Sequence, residues 1–247
     1  MTEPLPSRLA ALERDGFVLL PAVFDQREAA RLIAELEAAL HLAVGEGESI
    51  RSSAGGVYAA RNVLELYPPA RRVWRRPALL EFLKAVLGPD CGLVRGLYFD
   101  KPPERTWSLP WHKDLTIAVR ENHLPSTRFG KPTRKAGVPH VEAPPELLAR
   151  MLTLRIHLDA ITGDNGPLKV APGSHCFGRD LVLDQAPPQS ILSAAGDVLA
   201  MRPLLAHCSG QSTLGTSRHR RILHLEFAAN PELPDGFAWQ TFERAEV

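Results

Sequence analysis

A histidine followed two positions later by an acidic residue recurs along this sequence, and that spacing is a local signature of metal binding. The pattern stands, among other places, at His112–Asp114, His157–Asp159 and His224–Glu226. In an extended strand, residues i and i+2 point to the same face, so such a pair can aim an imidazole and a carboxylate at one ion. A second histidine from elsewhere would complete a facial triad, which leaves three positions on Fe(II) open.

The pattern alone does not identify the site, because 9 histidines and 28 acidic residues in 247 positions give about one match by chance. Its context favours His112, which follows a loop with two tryptophans and precedes the apolar segment 115–119. It is therefore expected to begin a strand at a loop boundary, where sites are commonly built. His207 ends the apolar segment 196–207 and opens onto a polar turn, which makes it the candidate second histidine.

The other two matches have simpler interpretations. His157 lies in an alternating segment whose apolar residues have the opposite parity, so it faces either solvent or the interior of a barrel. His224 and Glu226 lie late in the last strong strand of the chain, and we expect them to form a hydrogen-bonded polar pair.

Composition restricts the class of protein. Apolar residues make up 45% of the chain and charged residues 23%, which is typical of a soluble globular domain, and the net charge of +1 gives no global field for nucleic acid. The three cysteines have no metal-ligand or disulfide spacing, so a metal here needs histidine and carboxylate ligands. No apolar run reaches the ~18 residues of a membrane span, and the N-terminus does not resemble a signal peptide. These features predict a cytoplasmic protein without a membrane or nucleic-acid partner.

The elements that must position the site change in type along the chain. A short strand is expected at 16–21, a helix over 26–43 that begins with a capping box at Asp25 and Glu28, and a second helix from Pro77 to Gly88. The rest favours short strands between Gly/Pro turns, which is typical of a sandwich or barrel. The expected strands are 92–100, 112–119, 151–159, 167–171, 197–202 and 220–228.

This order of elements predicts one domain over residues 1–247, mainly β with flanking helices. Its N-terminal part, about 1–90, is expected to be helical, and the barrel is expected over about 91–230. Residues 120–150 interrupt the strand spacing with a polar, proline-rich stretch. A long insertion directly after a candidate metal strand is expected to act as a lid over the site.

Four ordered segments of the chain resemble the phytanoyl-CoA dioxygenase family of Fe(II)- and 2-oxoglutarate-dependent oxygenases. The resemblance runs from about Asp15 to Phe227. It is carried by an opening strand, a first metal segment, a central turn and a second metal and anchor segment. These are residues 15–21 (DGFVLLP), 98–103 (YFDKPP) with 109–114 (LPWHKD), 165–175 (NGPLKVAPGSH), and 207–211 (HCSGQ) with 220–227 (RRILHLEF).

The resemblance implies a double-stranded β-helix, that is, a jelly-roll or cupin-like barrel, with Fe(II) held by His112, Asp114 and His207. It also implies 2-oxoglutarate and O₂ as co-substrates. Arg220 matches the residue that anchors the distal carboxylate of 2-oxoglutarate, because the planar guanidinium fits a carboxylate. Arg218 and Arg221 compete for that role. Strand parity favours Arg220, since it shares a polar face with His224 while Arg221 shares the apolar face.

Further candidates are carried over from the same resemblance. Arg155, Leu97 and Arg61 match positions around the co-substrate pocket, although an aromatic residue is commoner than arginine at the first of these. The insertion is expected to carry selectivity. The candidates for substrate contact are Trp107, Trp111, His123 and Arg128.

The activity that the resemblance implies is hydroxylation of a small-molecule metabolite, with release of succinate and CO₂. Halogenation is not expected, because relatives that halogenate lack the carboxylate at the position of Asp114. Two alternatives stay open at this point. One is a metalloenzyme of the same fold that does not use 2-oxoglutarate. The other is a non-catalytic module whose metal is closed off by a fourth ligand such as His157. The sequence specifies neither the substrate nor the oligomeric state.

Overall fold

A computed structural model describes residues 3–43, 50–53 and 56–245. Among these residues, no helix has both the length and the apolar composition that crossing a membrane requires. The helices are α1 (Leu5–Asp15), α2 (Gln26–Leu42), α3 (Val63–Leu66), α4 (Pro77–Leu87) and α5 (Pro145–Leu148), with 3₁₀ turns at Pro68–Arg71 and Ser174–Phe177.

The strands of the described residues form three antiparallel sheets. They are β1 (Phe17–Leu20), β2 (Ile50–Ser53), β3 (Gly56–Ala60), β4 (Gly92–Phe99), β5 (Leu109–His112), β6 (Thr116–Ala118), β7 (Gly130–Lys135), β8 (Val138–Glu142), β9 (Met151–His157), β10 (Leu168–Val170), β11 (Gln189–Ser190), β12 (Val198–Met201), β13 (His207–Ser209), β14 (Ile222–Ala228) and β15 (Glu243–Arg244). The major sheet has the order β1-β12-β9-β14-β4-β3-β2, with β15 on β4; the minor sheet is β11-β10-β13-β5; the insertion sheet is β6-β8-β7. The major and minor sheets form the two halves of the jelly roll that the sequence predicts.

The helices cover the outer face of the major sheet. The capping box predicted at Asp25 and Glu28 begins α2, since each residue's side chain accepts from the other's backbone N–H at 2.8 Å. The apolar stripe of α2 and the residues of α4 pack into one core with the outward side chains of β14. The buried members include Leu32, Leu36, Leu40, Leu79, Phe82, Leu83, Leu223, Leu225 and Phe227.

The inner face of the major sheet is polar where it faces the minor sheet. On β14 the side chains between the core residues are His224 and Glu226, which therefore point into the barrel. In register, His224 lies between Arg155 of β9 and Leu97 of β4. The alternation predicted for this strand is thus confirmed, and it brings charged groups from distant segments onto one surface.

The strands predicted at 92–100, 151–159, 167–171, 197–202 and 220–228 are confirmed to within two residues at each end. The single strand predicted over 112–119 is wrong. His112 ends β5 instead of beginning a strand, and β6 starts only at Thr116. Between them, the backbone N–H of Asp114 donates to the carbonyl of Pro203 at 3.0 Å, so this segment bonds to a loop and leaves the strand ladder.

Two regions contain more strand than the sequence predicts. Beside the predicted strand β1, the N-terminal part, which was expected to be helical, supplies the β2–β3 hairpin to the major sheet, and its residues 44–49 and 54–55 lie outside those described. The stretch 120–150 contains β7, β8 and α5. It is therefore an ordered layer, with its own core of Ile117, Val119, Phe129 and Val141 against the end of the major sheet.

Candidate metal centre

Three predicted ligands converge at one edge of the minor sheet. In the antiparallel pair β5–β13, His112 lies directly opposite His207, and their ring centroids are 4.2 Å apart. The Nε2 atom of His207 lies 3.7 Å from Oδ2 of Asp114. One ligand atom from each of the three side chains lies within 4.8 Å of the others. Residues that are nearly 100 positions apart in the sequence are thus close enough to share one ion.

The backbone fixes which nitrogen of each histidine is free. Nδ1 of His112 lies 2.8 Å from the carbonyl oxygen of Pro110, and Nδ1 of His207 lies 2.9 Å from that of Leu205. A carbonyl only accepts, so each Nδ1 carries the proton and each Nε2 keeps its lone pair for a metal. Such outer contacts orient metal-bound imidazoles and raise their basicity.

Lys113, between the two nearby ligands, points away from the centre. Its ammonium donates to the carbonyls of Ser174 and Gly178, each at 2.8 Å. These bonds hold the segment that follows β5, so that His112 and Asp114 face the same ion although Asp114 lies outside the strand.

The protonation states suit a divalent cation. Burial lowers the pKa of His207 to about 4, despite the opposing attraction of Asp114. Burial also raises the pKa of Asp114, but the positive potential of His207 and His224 outweighs it, and the net pKa is below its ordinary value. At neutral pH the centre therefore offers the neutral imidazole of His207 and the ionised carboxylate of Asp114. This two-histidine, one-carboxylate donor set fits Fe(II) with open coordination positions.

Beside the centre lies a group of three buried cations, Lys101, Arg155 and Arg220, which we name the anchor cluster. Arg220 is 4% exposed, and its Nε has no partner in the described structure. Arg155 reaches Nδ1 of His224 at 3.2 Å, while its Nε is likewise without a partner. The ammonium of Lys101 donates to Ser209 Oγ and the carbonyl of Gly210.

Within the described residues, the arginines of the anchor cluster have no direct acidic partner. Among the described residues, no acidic side chain forms an ion pair with Arg155 or Arg220. Burial lowers the pKa of Arg155 to about 10, against the attraction of Asp114. Burial and repulsion by Arg155 lower the pKa of Arg220 to about 9, and burial with repulsion by both arginines lowers that of Lys101 to about 7. Isolated buried charges are unfavourable, so this arrangement is suited to an anion that enters from outside.

The three competing arginines have different surroundings. Arg221 lies on the helix side, in a two-pronged pair with Asp159 at 2.9 Å, with a further contact to Glu37. Arg218 is exposed and lies 3.6 Å from Asp164. Only Arg220 of the three points into the barrel, as strand parity predicts.

The remaining co-substrate candidates lie on two sides of the centre. Leu97 is buried on β4 opposite His224. Arg61 follows β3, and its charge acts on Lys135 of β7, so it lies on the insertion side. The fourth-ligand candidate His157 bonds through Nδ1 to Ser193 Oγ and is not part of the described ligand cluster.

The four substrate candidates fall into two groups. Trp111 lies half-buried beside His112 on β5, and Trp107 packs against Tyr58 with the Lys101 ammonium 5.5 Å from its ring. His123 and Arg128, by contrast, lie exposed on the surface. His123 contacts Glu121 at 3.6 Å, and Arg128 contacts Asp235 at 3.9 Å. The described contacts do not connect these two residues with the centre.

Sequence reasoning missed several groups near the centre: Arg95, Lys101, Lys135 and His140. His140 belongs to a further His-x-acid match, His140–Glu142, which is not part of the described ligand cluster. An arginine inside the otherwise apolar strand β4 was an available signal for Arg95. The sequence offered no such signal for Lys135. The predicted His224–Glu226 pair is present, with Nε2 3.3 Å from Oε1.

Comparison with known sequences identifies one family and one set of relatives. A family model described as Phytanoyl-CoA dioxygenase (PhyH) matches residues 12–220. The ectoine dioxygenase of Bordetella bronchiseptica (strain ATCC BAA-588 / NCTC 13252 / RB50) is 27% identical over 173 residues, which are 68% of this chain and 48% of that protein. The chain thus spans about half the length of the curated relatives it matches.

Solved structures share the architecture. EctD from S. alaskensis in its apoform aligns over 97% of this chain and 86% of its own, with a TM-score of 0.68 and 20% identity. The structure described as the non-haem alpha-ketoglutarate-dependent epimerase SnoN from nogalamycin biosynthesis aligns over 94% and 84%, with a TM-score of 0.65 and 18% identity. At these identities the likeness establishes the fold.

Proposed function

Since this chain belongs to the phytanoyl-CoA dioxygenase family, we propose that it is an Fe(II)- and 2-oxoglutarate-dependent oxygenase that hydroxylates a small-molecule metabolite. The observation that carries the proposal is the adjacency of two features. A three-residue ligand cluster with two free Nε2 atoms lies beside buried arginines that have no acidic partner among the residues that the structure describes. The first suits the metal, and the second suits a dianionic co-substrate.

Each residue has a defined task in this proposal. His112, Asp114 and His207 hold the iron on one side and leave the opposite side open. Arg220 binds the distal carboxylate of 2-oxoglutarate through its planar fork, and Arg155 and Lys101 add positive potential along the pocket. Bound iron, 2-oxoglutarate and O₂ together supply the oxidising power that inserts one oxygen atom into a C–H bond, with release of succinate and CO₂.

The surroundings of the centre support this chemistry in two further ways. The apolar inner residues Leu97, Leu199 and Met201 limit water near the buried cations. Asp114 keeps a carboxylate at the position that halogenating relatives leave vacant, so the proposal is hydroxylation and excludes halogenation. A cytoplasmic setting is part of the proposal, because the cysteines have no disulfide spacing.

The non-catalytic alternative requires a closed metal site. Its candidate fourth ligand, His157, is not part of the described ligand cluster. The alternative without 2-oxoglutarate leaves the anchor cluster without a counter-ion. These contacts favour the oxygenase over both alternatives.

An anaerobic titration tests the proposal directly. Adding Fe(II) and then 2-oxoglutarate to the protein is expected to give a weak visible charge-transfer band that saturates at one equivalent of each. Admission of O₂ is expected to produce succinate. A band without succinate would favour a binding module, and succinate formation that does not depend on added iron would contradict the assignment.

A further inference from the structure

A second polar group lies on the insertion side of the centre. It consists of Arg95 of β4, Glu226 of β14, Lys135 of β7 and His140 of β8, and we name it the insertion cluster. Nη1 of Arg95 lies 3.4 Å from Oε1 of Glu226, and the Lys135 ammonium donates to Thr116 Oγ1 at 2.8 Å. The cluster thus joins the major sheet to the insertion sheet.

The insertion cluster adjoins the candidate metal centre. Glu226 contacts His224, which in turn contacts Arg155 of the anchor cluster. Thr116, the partner of Lys135, is two residues beyond Asp114 on the same backbone. The negative charge of Asp114 acts on the pKa of both Lys135 and Glu226. A ligand in this cluster would therefore lie next to the iron, away from Arg220.

Positive charge is in excess here. Arg95 and Lys135 face Glu226 as the acid of the cluster, while Asp114 is assigned to the metal. Burial, reinforced by Arg95 and Arg61, lowers the pKa of Lys135. Glu226 alone cannot offset these cations.

Some hydrogen-bonding groups of the insertion cluster also have no partner in the described structure. An ammonium has three donors and a guanidinium five, yet the described contacts of Lys135 and Arg95 are one short bond and one long ion pair. His140 is 2% exposed, and its Nδ1 lies 2.9 Å from the carbonyl of Val138. Its Nε2 is buried without a partner in the described structure. An unpartnered buried polar atom calls for a ligand or a water molecule.

We infer that the insertion cluster binds the carboxylate of the substrate, with Lys135 and Arg95 as its donors. The inference rests on the proposed oxygenase function and adds the substrate class: a carboxylic acid whose reacting C–H bond is placed beside the iron. A carboxylate fits better than a phosphate monoester, which carries up to two negative charges at neutral pH. Glu226 and Asp114 would repel the second of these charges.

The test uses calorimetric titration of the anaerobic protein loaded with Fe(II) and saturating 2-oxoglutarate. The probes are short carboxylic acids, including α-amino and α-hydroxy acids, each paired with its methyl ester and a matched phosphate monoester. At least one acid is expected to bind, and its ester to bind at least about tenfold more weakly, as loss of a charged hydrogen-bond acceptor implies. Binding of no acid, equal binding of acid and ester, or preference for the phosphate would overturn the inference.

Variants of strand β7 locate the binding. Lys135→Met is expected to weaken acid binding about tenfold or more, and Lys135→Arg to restore most of it, since the charge returns. The control is Lys131→Met on the same strand, where the lysine is exposed and pairs with Glu142. Equal acid affinity in Lys135→Met and wild type would overturn the inference, whatever the ester comparison shows.

A separate measurement distinguishes this inference from the proposed function. Succinate formation by the wild-type protein is followed with no added acid, as uncoupled turnover of 2-oxoglutarate. If no succinate forms under any condition while acids bind through Lys135, the oxygenase assignment fails and the anion site stands. If succinate forms but Lys135 does not affect acid binding, the inferred carboxylate site fails and the oxygenase assignment stands.

Discussion

The anchor cluster and the insertion cluster flank the same candidate ligands, but they are built differently. The anchor cluster lies on the major sheet and the ends of its strands, where the backbones of Lys101 and Arg220 bond to each other in both directions at 3.2 Å. Its arginines have no acidic partner in the described structure. The insertion cluster contains its own acid, Glu226, and takes Lys135 and His140 from the insertion sheet.

We relate this difference in construction to two tasks: binding a co-substrate that a family shares, and binding a substrate that differs between its members. A co-substrate common to a family is best recognised by the barrel, because its register cannot shift without turning every side chain of a strand to the other face. A substrate that differs between relatives is best recognised by an inserted layer, which tolerates change without disturbing the barrel. In the proposed function, the anchor cluster would bind the constant co-substrate, and the insertion cluster, whose Lys135 and His140 come from the insertion sheet, would contribute selectivity.

The largest loss of activity is expected from replacing Asp114, because both clusters flank the candidate metal centre to which it belongs. Asp114→Ala removes the carboxylate from the donor set, so iron is held by two imidazoles only. Succinate formation from 2-oxoglutarate is expected to fall to background, with or without substrate. The matched control is Asp184→Ala, whose aspartate is exposed and contacts only Gln185 in the described structure. Wild-type rates in Asp114→Ala would refute the assignment of the centre.

Replacing Arg220 tests the anchor cluster separately from the insertion cluster. Arg220→Leu is expected to raise the KM for 2-oxoglutarate about 30-fold or more, because a buried carboxylate would lose its charged partner. Arg218→Leu, two residues away and exposed, is the control and is expected to leave this KM unchanged. Steady-state succinate assays over a range of 2-oxoglutarate measure both. A KM in Arg220→Leu equal to that of the control would remove Arg220 from the pocket.

A smaller, pH-dependent effect is expected from Lys101. Its pKa is lowered to about 7 by burial and by Arg220 and Arg155, so the ammonium loses its proton as pH rises through neutrality. Positive charge, and with it affinity for a dianion, is then lost on the alkaline side. Between pH 6 and 8, the Kd of 2-oxoglutarate is expected to rise by roughly tenfold in the wild type, as one pKa unit implies.

Lys101→Met is expected to flatten this pH profile, with weak binding at both ends. His207 and His157 do not titrate in this range, since burial lowers the pKa of His207 to about 4 and of His157 to about 3. Calorimetric titrations at several pH values provide the measurement. An unchanged slope in Lys101→Met would assign the pH dependence to another group.

Much of the framework is predictable from local pattern. The stripe of α2, the capping box at Asp25 and the alternation of β14 depend on neighbours in sequence, and all three are confirmed. The boundaries around Asp114 were not predictable, because the bond that ends the strand comes from Pro203 in a distant loop. The exposed positions of His123 and Arg128 were not predictable for the same reason: the sequence specifies an insertion but not which of its faces turns inward.

The sequence by itself determined the chemistry available to this protein: two imidazoles, a carboxylate and an arginine of the right parity, in an order typical of one family. Only the tertiary structure decided which of these side chains lie close to one another. Register between β5 and β13 sets His112 opposite His207, and packing of the insertion sheet brings Lys135 near Arg95. Such pairings depend on contacts between strands and between sheets, and those contacts form only when segments far apart in the chain are folded against each other.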